Sequence, residues 1–285
     1  MKDKFRILTV GGDMRSVYCA DYLAENYEVS LMGFDEENIP QRCRALLKKP
    51  NEKADAAVLP VIPLDNDGMI VSKFGEYVSP DEIAPLLKEN AIIFTGRMNE
   101  RLRELFPLSN FVEYLSCEDG CLKNAIATAE GAVQIALAEI PETLSGLKVL
   151  IVGMGRIGTA LAEILKGFGA DITAAVRNEK GTANARLHGI KSVRTENITN
   201  EYRLIFNTVP SLIFDREKLE RLELDTLIID LASKPYGVDY KTAKELGIRA
   251  LQALGLPGKT APVTAGRIIA ECITDNLSKG GGEYV

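Results

Sequence analysis

One stretch constrains this chain more than any other: Leu147-Lys148-Val149-Leu150-Ile151-Val152-Gly153-Met154-Gly155-Arg156-Ile157-Gly158-Thr159-Ala160-Leu161-Ala162. A short apolar run rich in β-branched residues stops at a glycine, and an apolar pattern of helical spacing resumes through Leu161, Ile164, Leu165 and Phe168. The spacing predicts strand, tight turn, helix. In such a loop Gly153 permits the turn, Gly155 lets a pyrophosphate approach the backbone, and Gly158 lets the helix pack closely on the strand. Phosphates would sit on the free N–H groups and positive dipole end of the helix, with Arg156 and Ile157 in the same loop. A dinucleotide is the expected ligand; a glycine-rich turn with no ligand is the plain alternative.

The next strand decides which dinucleotide. Asp171 to Val176 ends at Arg177-Asn178, where an NAD site usually places the acidic residue that binds the ribose 2′-hydroxyl. Here that place is basic, and Lys180 and Arg186 follow. The charge suits a 2′-phosphate, so NADP is expected over NAD; a solvated basic loop is the plain alternative.

A length of 285 residues suggests two domains. The net charge of −6 gives no reason to expect nucleic acid or an anionic membrane as partner, so an anionic ligand must be met by local basic residues. Five cysteines, an odd and scattered set, argue for free thiols in a reducing compartment, and the Cys117-x-x-x-Cys121 pair lacks the further ligands of a zinc site. No apolar run is long enough for a bilayer, and a cytoplasmic protein is expected.

The expected class is α/β, with two doubly wound, Rossmann-like domains joined by a long helix. Residues 1–118 form a substrate domain, 119–140 the linking helix, 141–258 the NADP-binding domain, and 259–285 a helix that returns to the first domain. Arg6 to Val10 runs into Gly11-Gly12-Asp13, a second glycine turn whose Asp13 would repel phosphate; Arg15 is its basic candidate for substrate. Ser79-Pro80-Asp81-Glu82 predicts a helix to about Asn90, followed by the buried strand Ala91 to Phe94. That strand ends in Thr95-Gly96-Arg97, a hydroxyl and a guanidinium where open α/β sheets bind ligands. Lys123, Asn124 and Thr128 form a polar cluster at the start of the long alanine-rich helix, which helix capping and surface polarity explain equally well.

Three later strand ends are expected on the nicotinamide side of the cofactor: Asn207-Thr208-Val209-Pro210, the segment Asp230 to Pro235 with Ala232, and the loop Leu254 to Lys259 with Leu256. Lys234 and Lys259, with Thr264 beyond them, are placed to meet an anionic substrate. The single histidine, His188, reads as a structural residue at a helix end, which excludes a His–carboxylate dyad. The tail Gly280 to Val285 is expected to fray.

Taken together these segments resemble the A-type polypeptides of the dipicolinate synthase family: Gly11-Gly12-Asp13-Met14-Arg15, the Gly153 to Gly158 loop, Asn207 to Pro210, Asp230 to Pro235 and, most distinctive, Ala253-Leu254-Gly255-Leu256-Pro257-Gly258-Lys259-Thr260-Ala261-Pro262-Val263-Thr264-Ala265-Gly266. The resemblance implies an NADP-dependent oxidoreductase that makes pyridine-2,6-dicarboxylate from a dihydro- or 4-hydroxytetrahydro-precursor of the lysine pathway. It further implies sporulation in the mother cell of an endospore former, with the flavoprotein-like B-type polypeptide of dipicolinate synthase as partner; a homo-oligomer is also expected. A dicarboxylate needs two cationic clamps, for which Arg15, Arg97, Lys123, Lys234 and Lys259 are candidates, with Lys123 the expected acid/base. The rival readings are a 2-hydroxy acid or shikimate-type dehydrogenase, and a non-catalytic NADP sensor.

Overall fold

A computed structural model describes residues 4–279. The chain divides into two compact units, Met1–Lys123 with Ala261–Val285, and Asn124–Thr260. The tail expected to fray, Gly280 to Val285, lies outside the described residues.

The first unit contains β1 (Arg6–Val10), α1 (Met14–Leu23), β2 (Glu28–Met32), β3 (Ala54–Val58), α2 (Pro80–Ile83), β4 (Leu87–Thr95), α3 (Glu100–Leu105), β5 (Asn110–Glu113) and the start of α4 (Glu118–Glu139). Its five strands lie in the order β2-β1-β3-β4-β5 and pair in parallel throughout. Parallel strands are covered on both faces, which is why their sequences read as almost unbroken apolar runs. Ile7, Leu8 and Val10 of β1 are fully or almost fully buried, as are Ala56 and Ala57 of β3 and Ile93 and Phe94 of β4.

Ser79 caps α2 as the sequence indicates: its hydroxyl accepts the Asp81 N–H, and Glu82 returns to the Ser79 N–H. The helix nevertheless ends at Ile83 rather than near Asn90. Pro85 cannot donate to an α-helical bond and opens a short 3₁₀ turn, Ala84–Leu86; β4 then starts at Leu87, whose buried side chain pairs with Ala54 across an irregular register.

The second unit carries the rest of α4, then β6 (Lys148–Val152), α5 (Arg156–Gly167), β7 (Asp171–Val176), α6 (Glu179–Leu187), β8 (Lys191–Arg194), β9 (Leu204–Asn207), α7 (Arg216–Leu219), β10 (Leu227–Asp230), α8 (Tyr240–Leu246), β11 (Arg249–Gln252) and α9 (Leu256–Thr260). The strand order is β11-β10-β9-β6-β7-β8, all parallel. The order therefore reverses between β6 and β9, the crevice where a doubly wound sheet holds its ligand. Ala129, Ala132 and Ala136 of α4 share a core with Val149 and Ile151, their small side chains allowing close approach. The loop expected from Leu254 to Lys259 is partly helical, because Gly255 takes a positive φ of 67° and Pro257 falls in the first turn of α9, where its missing N–H costs nothing.

The last helix, α10 (Pro262–Ser278), belongs to the first unit, where its buried Ile269, Cys272 and Ile273 share a core with Val17 and Ala20 of α1. Gly266 makes this packing possible, since a Cβ there would lie 2.7 Å from the Arg15 carbonyl oxygen. Among the described residues no helix is long and apolar enough to cross a membrane.

Candidate nucleotide and carboxylate sites

In the second unit β6 delivers the glycine loop to the switch point, and the three glycines have three different surroundings. Gly153 has a φ of +92°, and a Cβ on it would stand 2.6 Å from the Thr208 hydroxyl. At Gly158 a Cβ would fall 1.9 Å from the Gly153 carbonyl oxygen, so helix and strand touch backbone to backbone. Around Gly155 nothing lies within 4 Å of that position. The N-terminus of α5, with Gly155 at the N-cap, has no side-chain cap, and helix starts of this kind favour an anion. Two close-packed glycines beside one facing open space are the features a dinucleotide pyrophosphate requires. Asn184 braces the loop by donating to the Met154 carbonyl at 2.8 Å and the Thr159 hydroxyl at 3.0 Å.

Arg177 and Asn178 follow β7 at the expected place, and Asn178 caps α6 by accepting the Gly181 N–H at 3.0 Å. Arg186 is exposed in the last turn of α6. Sequence reading missed Arg194. It ends β8 directly opposite Val176, and its Nη1 donates to the Arg177 carbonyl at 2.8 Å, so two guanidinium groups share this sheet end. His188 is bonded through Nδ1 to Glu163 at 2.8 Å, near the end of α6.

The ends of β9 and β10 are built around Asp230, a fully buried carboxylate. It accepts from Asn207 Nδ2 at 2.7 Å, the Ala232 N–H at 3.1 Å, the Gly237 N–H at 3.0 Å and the Tyr240 hydroxyl at 2.9 Å. Burial first, then the neighbouring Asp230 charge, pushes the Tyr240 phenol above its ordinary value, so it stays a donor. Thr208 donates to the Val152 carbonyl at 2.9 Å and thereby ties β9 to β6 across the switch point. Val209 is half-buried and Pro210 exposed, while Leu256 is buried against Gly131. Lys234 and Lys259 are exposed. Asn124 opens the second unit's part of α4 and accepts at its carbonyl from the Thr128 hydroxyl at 2.8 Å.

In the first unit the second glycine turn is covered by its own chain. The Gly12 N–H donates to the Val71 carbonyl at 2.7 Å, the Lys73 N–H donates to Gly12 at 2.8 Å, and a Cβ on Gly11 would stand 2.6 Å from the Val71 oxygen. Backbone thus occupies the position a phosphate would need. Beside it Arg15 grips Asp13 with Nε and Nη2, both at 2.8 Å, and Lys73 lies 3.6 Å from the same carboxylate. Burial alone would raise the Asp13 pKa; the Arg15 bonds, with the charges of Arg15 and Lys73, outweigh it and hold the carboxyl below its ordinary value. The bidentate pair uses one edge of the guanidinium and leaves its Nη1 edge for another anion. Lys73, far along the chain from Arg15, carried no sequence signal.

Asp13 makes a pH prediction. Its folded pKa lies below the unfolded value of about 3.9, so its stabilisation is full above about pH 4 and is lost as pH falls through the folded value. Asp13→Asn, which keeps a helix cap, is expected to cost about 2 kcal/mol at neutral pH and to flatten this acid limb in urea melts from pH 7 to pH 2.

Thr95 is buried at the end of β4 with its hydroxyl toward the Arg97 carbonyl at 3.3 Å, and Arg97 itself is exposed. Thr264 is exposed in the first turn of α10. Lys123 is paired with two carboxylates: its Nζ is 2.7 Å from Asp119 and 2.8 Å from Glu271. Asp119 first, then Glu271, holds its pKa above the ordinary lysine value. An ammonium held protonated by two carboxylates is placed at neutral pH as a charge and a hydrogen-bond donor, not as a base.

Comparison with known proteins places each unit. Residues 6–112 match the model of the N-terminal domain of the dipicolinate synthase A-type polypeptide, and residues 125–234 match that of the D-isomer specific 2-hydroxyacid dehydrogenase NAD binding domain. The chain is 29% identical to the A-type polypeptide of dipicolinate synthase from Bacillus subtilis over 96% of both chains. Crystal structures of that polypeptide from Bacillus halodurans and B. subtilis superpose with a TM-score of 0.84 each, at 26% and 28% identity. They cover 96% and 98% of this chain, and 98% and 97% of theirs. With a dehydrogenase-type nucleotide-binding unit following an N-terminal unit of the dipicolinate synthase type, the chain is homologous to the A-type polypeptide of dipicolinate synthase along almost its whole length.

Proposed function

We propose that this chain is an oxidoreductase of dipicolinate synthesis that uses NADP, bound to its second unit, to oxidise a partly reduced pyridine dicarboxylate. The observation that carries the reading is the switch-point loop, with open space at Gly155, an uncapped helix start and tight backbone contact at Gly158. When bound, the nicotinamide accepts the hydride that the substrate ring loses as it becomes aromatic; the accompanying proton goes to solvent. Because aromatisation supplies much of the driving force, the protein's task is orientation. The amides of Arg156 and Ile157 hold the pyrophosphate, and the Thr208 to Pro210 and Ala232 segments, fixed by Asp230, shape the nicotinamide end. Arg15 and Lys73 hold one substrate carboxylate, and the exposed Arg97 is a further cation of the same unit; Lys234 and Lys259 are the exposed cations that the second unit offers to anions. A hydroxylated precursor would lose water as well.

Arg177 and Arg194 favour NADP over NAD, because two guanidinium groups at one sheet end match a 2′-phosphate. The double variant Arg177→Ala/Arg194→Ala is expected to raise KM for NADP about 30-fold, equivalent to about 2 kcal/mol, with kcat and the KM for NAD nearly unchanged. Equal KM changes for both nucleotides in steady-state kinetics would refute this selectivity.

The activity is tested by mixing the full chain with NADP and freshly prepared dihydrodipicolinate or its hydroxytetrahydro precursor, with and without a flavoprotein-like partner. NADPH absorbance should rise in step with the pyridine product. Cofactor binding with no NADPH under any of these conditions would favour a nucleotide sensor instead.

A further inference from the structure

The five cysteines are free thiols, and two of them, Cys117 and Cys272, meet outside both sites described above. Cys117 precedes α4 and Cys272 lies on α10; both line one cavity of about 280 Å³, together with Gly120, Lys123 and Glu271. The Cys117 sulfur accepts the Gly120 N–H at 3.4 Å, and the Cys272 thiol lies beside it. A Cβ on Gly120 would stand 2.6 Å from Cys272 Sγ and 3.7 Å from Cys117 Sγ, so the missing side chain is what lets the sulfurs converge. Of the other three thiols, Cys121 points to the Leu115 carbonyl at 2.9 Å, and Cys19 and Cys43 are fully buried, out of reach of an oxidant in solution. Among the described residues no group of three or more His, Cys, Asp or Glu side chains is placed to hold a metal ion.

We propose that Cys117 and Cys272 are a site of reversible oxidation, closing to a disulfide when the protein meets a hydroperoxide and fastening the first turn of α4 to α10. Cys117 is partly exposed and Cys272 is 5% exposed, so the oxidant reaches Cys117 first. Burial, then the neighbouring Cys117 thiol, pushes the Cys272 thiol up to about 12. In the first step the peroxide transfers one oxygen to Cys117, giving a sulfenic acid and releasing water or an alcohol. In the second, the Cys272 sulfur attacks the Cys117 sulfur; the S–S bond forms as the S–O bond breaks, and the hydroxyl leaves with the Cys272 proton as water. An external dithiol reverses the reaction by exchange.

The test treats the full chain with hydrogen peroxide, alkylates the remaining thiols, and maps unreduced peptides by mass spectrometry. The expected product is a peptide pair joined through Cys117 and Cys272, lost on dithiothreitol, retained in Cys121→Ser, and absent from Cys117→Ser and Cys272→Ser. On a non-reducing gel the oxidised chain should run faster, because all of the second unit lies within the closed loop. Gly120→Ala should slow cross-linking at least tenfold; where that variant fails to fold, the serine variants decide. Conversion of Cys117 to sulfinic acid without a link, or a Cys117–Cys121 pair, would overturn the proposal.

Discussion

Gly158→Ala is expected to abolish nicotinamide-nucleotide binding, with affinity falling more than 100-fold, about 3 kcal/mol or more. The added methyl would lie 1.9 Å from the Gly153 carbonyl oxygen and 3.4 Å from Ile151, and the first of these contacts is backbone that cannot rotate away. Relief requires α5 to move off β6, whose Val149 to Val152 are fully buried, and close-packed interiors pass such shifts on. The amides that meet the pyrophosphate would move with the helix. Gly155→Ala separates binding from folding. Its methyl meets no protein atom within 4 Å and its φ of −85° suits any residue, so stability should hold while affinity falls at least tenfold because the methyl fills the ligand's space. Fluorescence titration with NADPH and a thermal melt of each variant check both expectations.

Asp230→Ala should be the most destabilising substitution in the second unit. It leaves four donors, from Asn207, Ala232, Gly237 and Tyr240, without their shared acceptor in a fully buried place. At about 1–3 kcal/mol for an unsatisfied buried group, with partial relaxation, a loss of about 4 kcal/mol is expected, lowering Tm by roughly 10 °C. Asp230→Asn retains one acceptor oxygen and should cost about half as much. Because Asp230 fixes the backbone at Ala232 and Gly237, the Asn variant should also raise KM for the cofactor while remaining folded. Differential scanning calorimetry with steady-state kinetics would show this; equal melting of wild type and Asp230→Ala would remove Asp230 from that role.

The strand, glycine turn and helix of the Gly153 to Gly158 loop were legible because their information is local. The backbone contacts that require Gly153 and Gly158 arise between a strand and the helix directly after it, so glycine spacing reports them. The sheets were legible for a related reason, since strands buried on both faces must be apolar nearly throughout. What escaped depends on residues distant in sequence. Lys73 reaches Asp13 only because the segment around Val71 crosses the Gly11-Gly12 turn, and Arg194 reaches Arg177 only through the pairing of β7 with β8. Asp230 was visible as a strand end, but its four donors come from three separate segments. Lys123 was read with its helix neighbours, and the carboxylate that helps fix its charge lies on α10. The helix predicted beyond Ile83 failed because its apolar spacing also suits the start of a buried strand, and Pro85 decides between them.

Isothermal titration of the folded chain with NADP and NAD, beside Gly158→Ala, decides whether the second unit is the proposed nicotinamide-nucleotide site selective for the 2′-phosphate. The expected result is saturable binding of one NADP per chain, NAD weaker by at least tenfold, and no binding in the variant. Absence of heat with either nucleotide at several temperatures, or unchanged affinity in a folded Gly158→Ala chain, would contradict it.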